Sequence, residues 1–416
     1  MNRFLVRPGP PLAGSVRVGG AKNSVLKLLA ATLLAEGEHT LRNVPRIADV
    51  ETMCDLLASM GVGVERNGHE LTVRRGPSIV PEAPYELVER MRASIVVLGP
   101  LLASVGRARV AMPGGDDLGS RPIDLHLQGL ELLGASFDFA HGTIEARADQ
   151  LLGTRVVLEF PSVGATENLL MAAVRAKGTT VVDNAAREPE IADLAAFLNR
   201  MGARVLGAGT PTLEIEGVDE LSPVDHEVVP DRVEAATFLA AVGIAGGEIT
   251  IEGARTDHLD MLIRKLGEMG MHTSPVRGGV WASAPGSLRS VDVSTLPYPG
   301  IATDYKPLLV TMLAVADGVG IVTENLYADR FRYVAELVRM GADIRIEGHH
   351  AVVRGVGRLS GAPVKAPDIR AGAALVLAGL AAEGETVVSD GFHVERGYED
   401  FAGKLRSLGA DVTHLR

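Results

Sequence analysis

The stretch Leu337–Gly355, "LVRMGADIRIEGHHAVVRG", decides how the chain is to be read. An apolar-periodic segment ends at Met340, Gly341 stands in the helix C-cap place, and alternating residues then run out, turn at Gly348-His349 and return. Glycine supplies the left-handed backbone that stops a helix, and period-two alternation marks a strand. The segment therefore predicts a helix followed by a hairpin. Its opening phrase recurs as "LLASMGVGV", "LELLGASFDF", "LNRMGARVL", "LGEMGMHTS" and "LRSLGADVT", with Gly61, Gly134, Gly202, Gly270 and Gly409 spaced about 70 residues apart.

A second phrase runs in step with the first: an Ala/Leu-rich helix, a glycine, then a β-like run. It reads "LAATLLAEGEHTL", "LGPLLASVGRARV", "MAAVRAKGTTVV", "LAAVGIAGGEITI", "MLAVADGVGIVT" and "LAGLAAEGETVV". Each unit is then helix–strand–helix–hairpin, a βαβαββ element counted from the preceding strand. The helices are apolar around much of their circumference, which predicts that they lie buried with sheets outside them. The sixth unit stops at "GADVTHLR" without a returning strand, and the N-terminal "FLVRPG" and "SVRVGG" can supply it. Residues 1–20 are accordingly expected to join 230–416 in one domain of three units. Residues 21–229 form the other, which carries a glycine-rich loop at 111–122.

Bulk composition excludes several classes. A net charge of −11 and 4% aromatic residues argue against a nucleic-acid surface. The apolar runs at Ile95–Val105 and Ala373–Ala382 are shorter than the ~20 residues a membrane span needs. One cysteine, Cys54, forbids an internal disulfide, and no signal-peptide pattern opens the chain, so a cytoplasmic setting is expected. Cys54 lies on an apolar helix face and reads as core. His349-His350 sit at a hairpin turn, no Cys/His spacing fits a metal, and neither metal nor cofactor is expected.

Chemistry is best sought in the loops. After each β-like run comes a short polar segment bearing Arg46, Arg121, Arg187, Arg255, Arg330 or Arg396. Equivalent loops gather at one end of each domain, where their cations would meet an anion. A single loop arginine is more often just solvated, but Arg121, Arg330 and Arg396 lie beside acids or glycines. In "GGAKNSVLKLLAATLLAEG", Gly19-Gly20 lead into a helix starting near Lys22-Asn23, and a helix N-terminus with a lysine suits an anion. "PSVGATEN" reads as a helix N-cap. "PGGDDLGSRP" places two acids and an arginine on glycine hinges.

Taken together, "GGAKNSVLKLLAATLLAEG", "MRASIVVLGPL", "PGGDDLGSRPIDLH", "PSVGATEN", "NAAREPEI", "ATD", "ENLYADRF", "DIRAGAALVLAG" and "VERGYE" run in order over nearly the whole length. In this the chain resembles the UDP-N-acetylglucosamine 1-carboxyvinyltransferase family of enolpyruvyl transferases. The resemblance implies an α/β fold of two inside-out α/β barrel domains, each of three βαβαββ units. It implies transfer of the enolpyruvyl group of phosphoenolpyruvate to the 3′-hydroxyl of UDP-N-acetylglucosamine, by addition then elimination of phosphate, in peptidoglycan precursor synthesis. The sister family, acting on shikimate 3-phosphate, is the runner-up; it would carry Lys-Ser in place of Lys22-Asn23. A specialised or inactive paralogue is the third reading.

By the same resemblance Lys22, Arg121 and Arg396 match positions that hold phosphoenolpyruvate, and Arg330 and Arg370 match further cationic positions. Asn23, Asp304 and Leu326 match contacts to the amino sugar, with Asp304 the candidate base. Arg92, the run Arg121-Pro122-Ile123-Asp124-Leu125, and Ser162-Val163-Gly164 match nucleotide-binding positions. Two departures stand out. Most of the family has cysteine as proton donor where this chain has Asp116, a change that keeps a titratable acid; fosfomycin, which alkylates that cysteine, should then be ineffective. The second is Tyr305-Lys306, where an apolar residue and Gln are expected. Lys306 either lowers the pKa of Asp304 or marks a specialisation for a related sugar nucleotide.

Overall fold

The computed structural model describes residues 2–113 and 123–416. All six repeat glycines take positive φ, from 87° at Gly61 to 106° at Gly202. After each, the next N–H bonds back to a leucine carbonyl: Val62 to Leu57, Ala135 to Leu130, Ala203 to Leu198, Met271 to Leu266, Ala342 to Leu337 and Ala410 to Leu405. This closure satisfies carbonyls that a helix end would otherwise orphan, and it turns the chain into the next strand.

The chain forms two compact units, one of residues 2–19 with 230–416, the other of the described residues of 20–229. In the latter, Gly37–Arg42 pairs antiparallel with Glu70–Arg75, which pairs with Gly63–Asn67, while Asp225–Glu227 adds a parallel edge. Four-stranded sheets around Arg107–Ala111 and Thr179–Asp183 repeat that order. In the other unit, Gly247–Glu252 and Val319–Thr323 head sheets of the same plan, with Leu12–Arg17 as the parallel edge of the first. The last sheet differs. Arg3–Arg7 lies between Thr386–Ser389 and Asp411–Leu415, antiparallel to both, where the returning strand lies elsewhere.

Each unit has its own apolar core. One helix per repeat is enclosed on nearly all sides, as in Val163–Ala173, Arg232–Ala245 and Ile369–Leu380. The expectation of all-round burial fails for the helix that ends at each repeat glycine. Asp260–Glu268, for instance, buries only Leu262 and Leu266, because its charged residues occupy the opposite face. Among the described residues no helix is long and apolar enough to cross a membrane.

Candidate active site

In the unit of residues 20–229, the helix Lys22–Ala31 begins where Gly20 lets two backbones meet; a Cβ there would lie 1.9 Å from the Asn43 carbonyl oxygen. Lys22 Nζ reaches Asp49 Oδ2 at 2.6 Å, with both side chains largely buried. The Asn23 carbonyl accepts from Lys27 Nζ at 2.8 Å. Ser24 Oγ donates to Asp193 Oδ2 at 2.5 Å, and the other oxygen of Asp193 meets His226 Nε2 at 2.8 Å. Ion pair and hydrogen bonds thus fix the turn that carries Lys22 and Asn23.

The nucleotide candidates of this unit are joined by Asn168, the last residue of "PSVGATEN", to which the motif reading gave no role. Asn168 Oδ1 accepts from Gly99 N at 2.8 Å, while its Nδ2 donates to the Ile95 carbonyl at 3.1 Å and to His126 Nδ1 at 2.8 Å. Arg92 opens the segment Arg92–Val97, Asp124 opens the helix Asp124–Leu132, and Ser162 caps Val163–Ala173 by accepting from Ala165 N at 3.3 Å. Asn168 and His126 therefore bind together the elements that carry Arg92, Ile123-Asp124-Leu125 and Ser162-Val163-Gly164. Gly164 has to be glycine, since a Cβ would lie 2.8 Å from the His126 ring. Burial, and next the Arg92 charge, hold His126 down to about 4, so at neutral pH the ring is uncharged and can accept from Asn168.

Beside Asn168, Glu167 is enclosed with no hydrogen-bond partner for either oxygen among the described residues; Lys27 Nζ stands 3.6 Å away. Burial pushes its carboxyl up from 4.5 to about 7, with Lys27 pulling back and Glu190 and Glu188 adding to the rise. Between those values the folded chain holds more protons than the unfolded one, so stability falls as pH rises through that window, by about 3 kcal/mol. Glu167→Gln has no proton to lose there and should flatten the fall. Denaturant unfolding near both ends of the window checks this; parallel pH dependences for wild type and variant would refute it.

The unit of residues 2–19 and 230–416 holds a tighter cluster. Asp304, in the turn Thr303–Tyr305, accepts from Arg330 Nη1 at 2.8 Å and from Arg370 Nε at 3.1 Å. Both arginines are buried at 4% and 3% exposure, whereas a quarter of the Asp304 side chain stays open. Burial alone would raise the Asp304 carboxyl, but the two guanidiniums outweigh it and hold it well below the usual carboxylate range. Arg330 Nε and Arg370 Nη1 are buried donors without a hydrogen-bond partner among the described residues. Unmet cationic donors in a dry site are costly, and an anion would satisfy them. Leu326 N bonds Glu324 Oε1 at 2.8 Å. Arg396 follows the short helix Phe392–Glu395, and next to it Gly397 packs on Ile369, where a Cβ would lie 2.5 Å from Ile369 Cγ2 and 3.5 Å from Arg370 Nη1.

Each unit thus gathers its own candidates: Lys22, Asn23, Arg92, Ile123-Asp124-Leu125 and Ser162-Val163-Gly164 in one, Asp304, Leu326, Arg330, Arg370 and Arg396 in the other. Asp116, Arg121 and Pro122 lie outside the described residues. The loop arginines prove unlike one another, since Arg255 pairs with Asp257 on the exposed surface while Arg330 is buried. Cys54 is only half-buried, yet burial, then Glu51, pushes its thiol up to about 12. Lys306 does not touch Asp304; it pairs with Glu324, and the Asp304 carboxyl is lowered by arginines instead. Thr303, Glu324, Asn168 and His126 stand inside the quoted motifs "ATD", "ENLYADRF", "PSVGATEN" and "PGGDDLGSRPIDLH", but the motif reading gave them no role.

Comparison with known proteins places this geometry. The family model for EPSP synthase (3-phosphoshikimate 1-carboxyvinyltransferase) matches residues 6–405. A UDP-N-acetylglucosamine 1-carboxyvinyltransferase from Gluconacetobacter diazotrophicus is 51% identical over 419 residues, covering 100% of both chains. UDP-N-acetylglucosamine 1-carboxyvinyltransferase 1 of Caldanaerobacter subterraneus subsp. tengcongensis is 50% identical over 410 residues, 99% of each chain. The crystal structure of the enolpyruvyl transferase NikO from Streptomyces tendae superposes with a TM-score of 0.90 at 26% identity, covering 99% of this chain and 98% of that one.

Proposed function

The chain belongs to the UDP-N-acetylglucosamine 1-carboxyvinyltransferases, within the wider EPSP synthase family, and from that premise we propose that it transfers the enolpyruvyl group of phosphoenolpyruvate to the 3′-hydroxyl of UDP-N-acetylglucosamine in the cytoplasm, releasing phosphate. Carbon 3 of the enol gains a proton while the sugar oxygen, giving its own proton to a base, bonds to carbon 2. The tetrahedral ketal then loses a proton from carbon 3 and expels phosphate, restoring the double bond. Such a sequence needs a proton donor, a base and fixed cations for the phosphate and carboxylate.

The Asp304–Arg330–Arg370 cluster carries this reading. Its two buried cations suit a substrate anion, and Asp304 is bonded to both arginines. In the unliganded chain Asp304 is a poor base, because both arginines favour its ionised form. A bound phosphate or carboxylate shares those charges, so the basicity of Asp304 rises when a substrate anion is in place. Lys22, Arg121 and Arg396 are assigned to phosphoenolpyruvate; Asn23 and Leu326 to the amino sugar; Arg92, Arg121 to Leu125 and Ser162 to Gly164 to the nucleotide. We read each unit as an inside-out barrel of three βαβαββ elements, on the support of its enclosed helices and repeated sheet order.

Purified protein is expected to release phosphate only when phosphoenolpyruvate and UDP-N-acetylglucosamine are both supplied. Release with shikimate 3-phosphate in place of the UDP-sugar would favour the sister activity. Silence with both acceptors would leave a paralogue specialised for another UDP-sugar or an inactive one, and silence with a panel of UDP-sugars as well would favour the inactive one.

A further inference from the structure

Lys306 opens the helix Lys306–Ala314 with no exposed side-chain surface. Its Nζ lies 2.9 Å from Glu324 Oε2, donates to the Arg330 carbonyl, and sits 3.8 Å from the centre of the Phe331 ring. Glu324 is equally enclosed and saturated with donors. Oε1 accepts from Thr295 Oγ1 at 2.7 Å, Leu326 N at 2.8 Å and Tyr327 N at 3.1 Å; Oε2 also accepts from Thr303 Oγ1 at 2.8 Å. Thr303 Oγ1 in turn accepts from Arg330 Nη1 at 3.2 Å. The pair is thereby bonded to the turn that carries Asp304 and to the segment that carries Leu326 and Arg330.

A buried ion pair contributes little stability beyond what well-packed apolar residues of the same shape would give, so stability is a weak reason for this one. Its geometry offers another. We propose that Lys306 and Glu324 are positioning residues for the acceptor sugar, holding Asp304, Leu326 and Arg330 in register, and that acceptor recognition requires Lys306 in its charged form. The inference rests on the assignment of those residues to the amino sugar made above.

Three charged groups act on the ammonium: Glu324 at its side, Arg330 from the following segment, and Asp368 from the cap of the helix Ile369–Leu380. Burial pulls the amine down to about 8 in spite of the attraction of Glu324 and Asp368, and Arg330 adds to the fall. As pH rises past that point Lys306 loses its charge, leaving Glu324 with an uncompensated buried charge. Glu324 keeps its bonds to Thr303, Leu326 and Tyr327, but the cation that balanced its charge and held the Arg330 carbonyl is gone, so the Leu326 and Arg330 segment is expected to loosen.

The test is steady-state phosphate release by wild type, Lys306→Gln and Lys306→Met, with each substrate varied separately between about pH 7 and about pH 9. In the wild type the KM for UDP-N-acetylglucosamine should climb above pH 8. Lys306→Gln, neutral at every pH, should show a raised KM for UDP-N-acetylglucosamine already at neutral pH and no further climb. A wild-type KM in this variant at neutral pH would overturn the requirement for charge. Lys306→Met, without donor or charge, should raise that KM about tenfold at neutral pH, with a smaller change in kcat. A folding defect alone would reduce the active fraction, and so kcat, without moving KM or its pH profile. Should Lys306→Met not fold, wild type and Lys306→Gln decide. A wild-type acceptor KM flat across the range, or an unchanged alkaline rise in Lys306→Gln, overturns this inference alone. No phosphate release by the wild type at any pH overturns the functional reading, and this inference with it.

Discussion

Asp304→Ala is expected to lower phosphate release by at least about a hundredfold, the scale of a lost general base, and to destabilise the fold as well. The stability effect comes from what is left behind. Arg330 and Arg370 are almost wholly buried and share this carboxylate, so its removal strands two enclosed cations. Breaking a buried pair in this way costs about 3–5 kcal/mol; the quarter of Asp304 that remains open places the expectation at the lower end. Asp304→Asn, which keeps one acceptor oxygen, should fold better than the alanine variant and be nearly as inactive. The pH dependence has a defined sign. A carboxyl held below its ordinary range lends stability that is complete above that range and drains away in acid, so wild type and Asp304→Ala should converge as pH falls below about 4. Denaturant unfolding over pH, beside a phosphate-release assay, measures both halves. Turnover within threefold of wild type would remove Asp304 from the role of base, and an unchanged unfolding midpoint would remove the electrostatic argument.

The architecture was legible where it depends on local backbone chemistry. A glycine after an apolar-periodic segment favours a left-handed helix stop, and Gly61, Gly134, Gly202, Gly270, Gly341 and Gly409 all adopt one. What could not be read was which of two helices per repeat would be enclosed on all sides. That depends on neighbours far away in sequence, and both kinds carry enough alanine and leucine to look alike. The site divides along the same line. The chain-local motifs around Lys22, Asp304 and Arg330 stand out in the sequence. The residues that hold them, such as Asp193 on Ser24, Asn168 on Gly99 and Glu324 on Thr303, are bonded across gaps in sequence that no periodicity reports. Lys306 shows the hazard most clearly. Two positions from Asp304 in sequence, it could be read as acting on that carboxyl or as marking a specialisation; helix geometry turns it inward to Glu324, away from the first of these.

Asp116→Ala is expected to lose most of its turnover, about a hundredfold or more, because a positioned acid must protonate carbon 3 of the enol. Asp116 lies outside the described residues, so its proposed role rests on its place in "PGGDDLGSRP" and on the family resemblance that puts a proton donor there. Asp117→Ala should change little. If an acid stands at Asp116 in place of a thiol, the response to fosfomycin should change with it. A thiolate opens the epoxide by bonding to a ring carbon, and the ring oxygen departs as an alkoxide that takes a proton; a carboxylate is a far weaker nucleophile toward that carbon. Wild type should therefore keep its activity after incubation with the drug. Cys54 should stay unmodified, since its thiol is half-buried and pushed up to about 12, leaving almost no thiolate at neutral pH. Asp116→Cys should retain turnover and lose it progressively in fosfomycin, with the mass gained on the introduced thiol. Intact-mass and peptide-mass measurements on drug-treated wild type and variant separate these outcomes. An adduct on wild-type Asp116, or full activity in Asp116→Ala, would end its assignment as proton donor, and the acid would then have to come from another titratable group of the site.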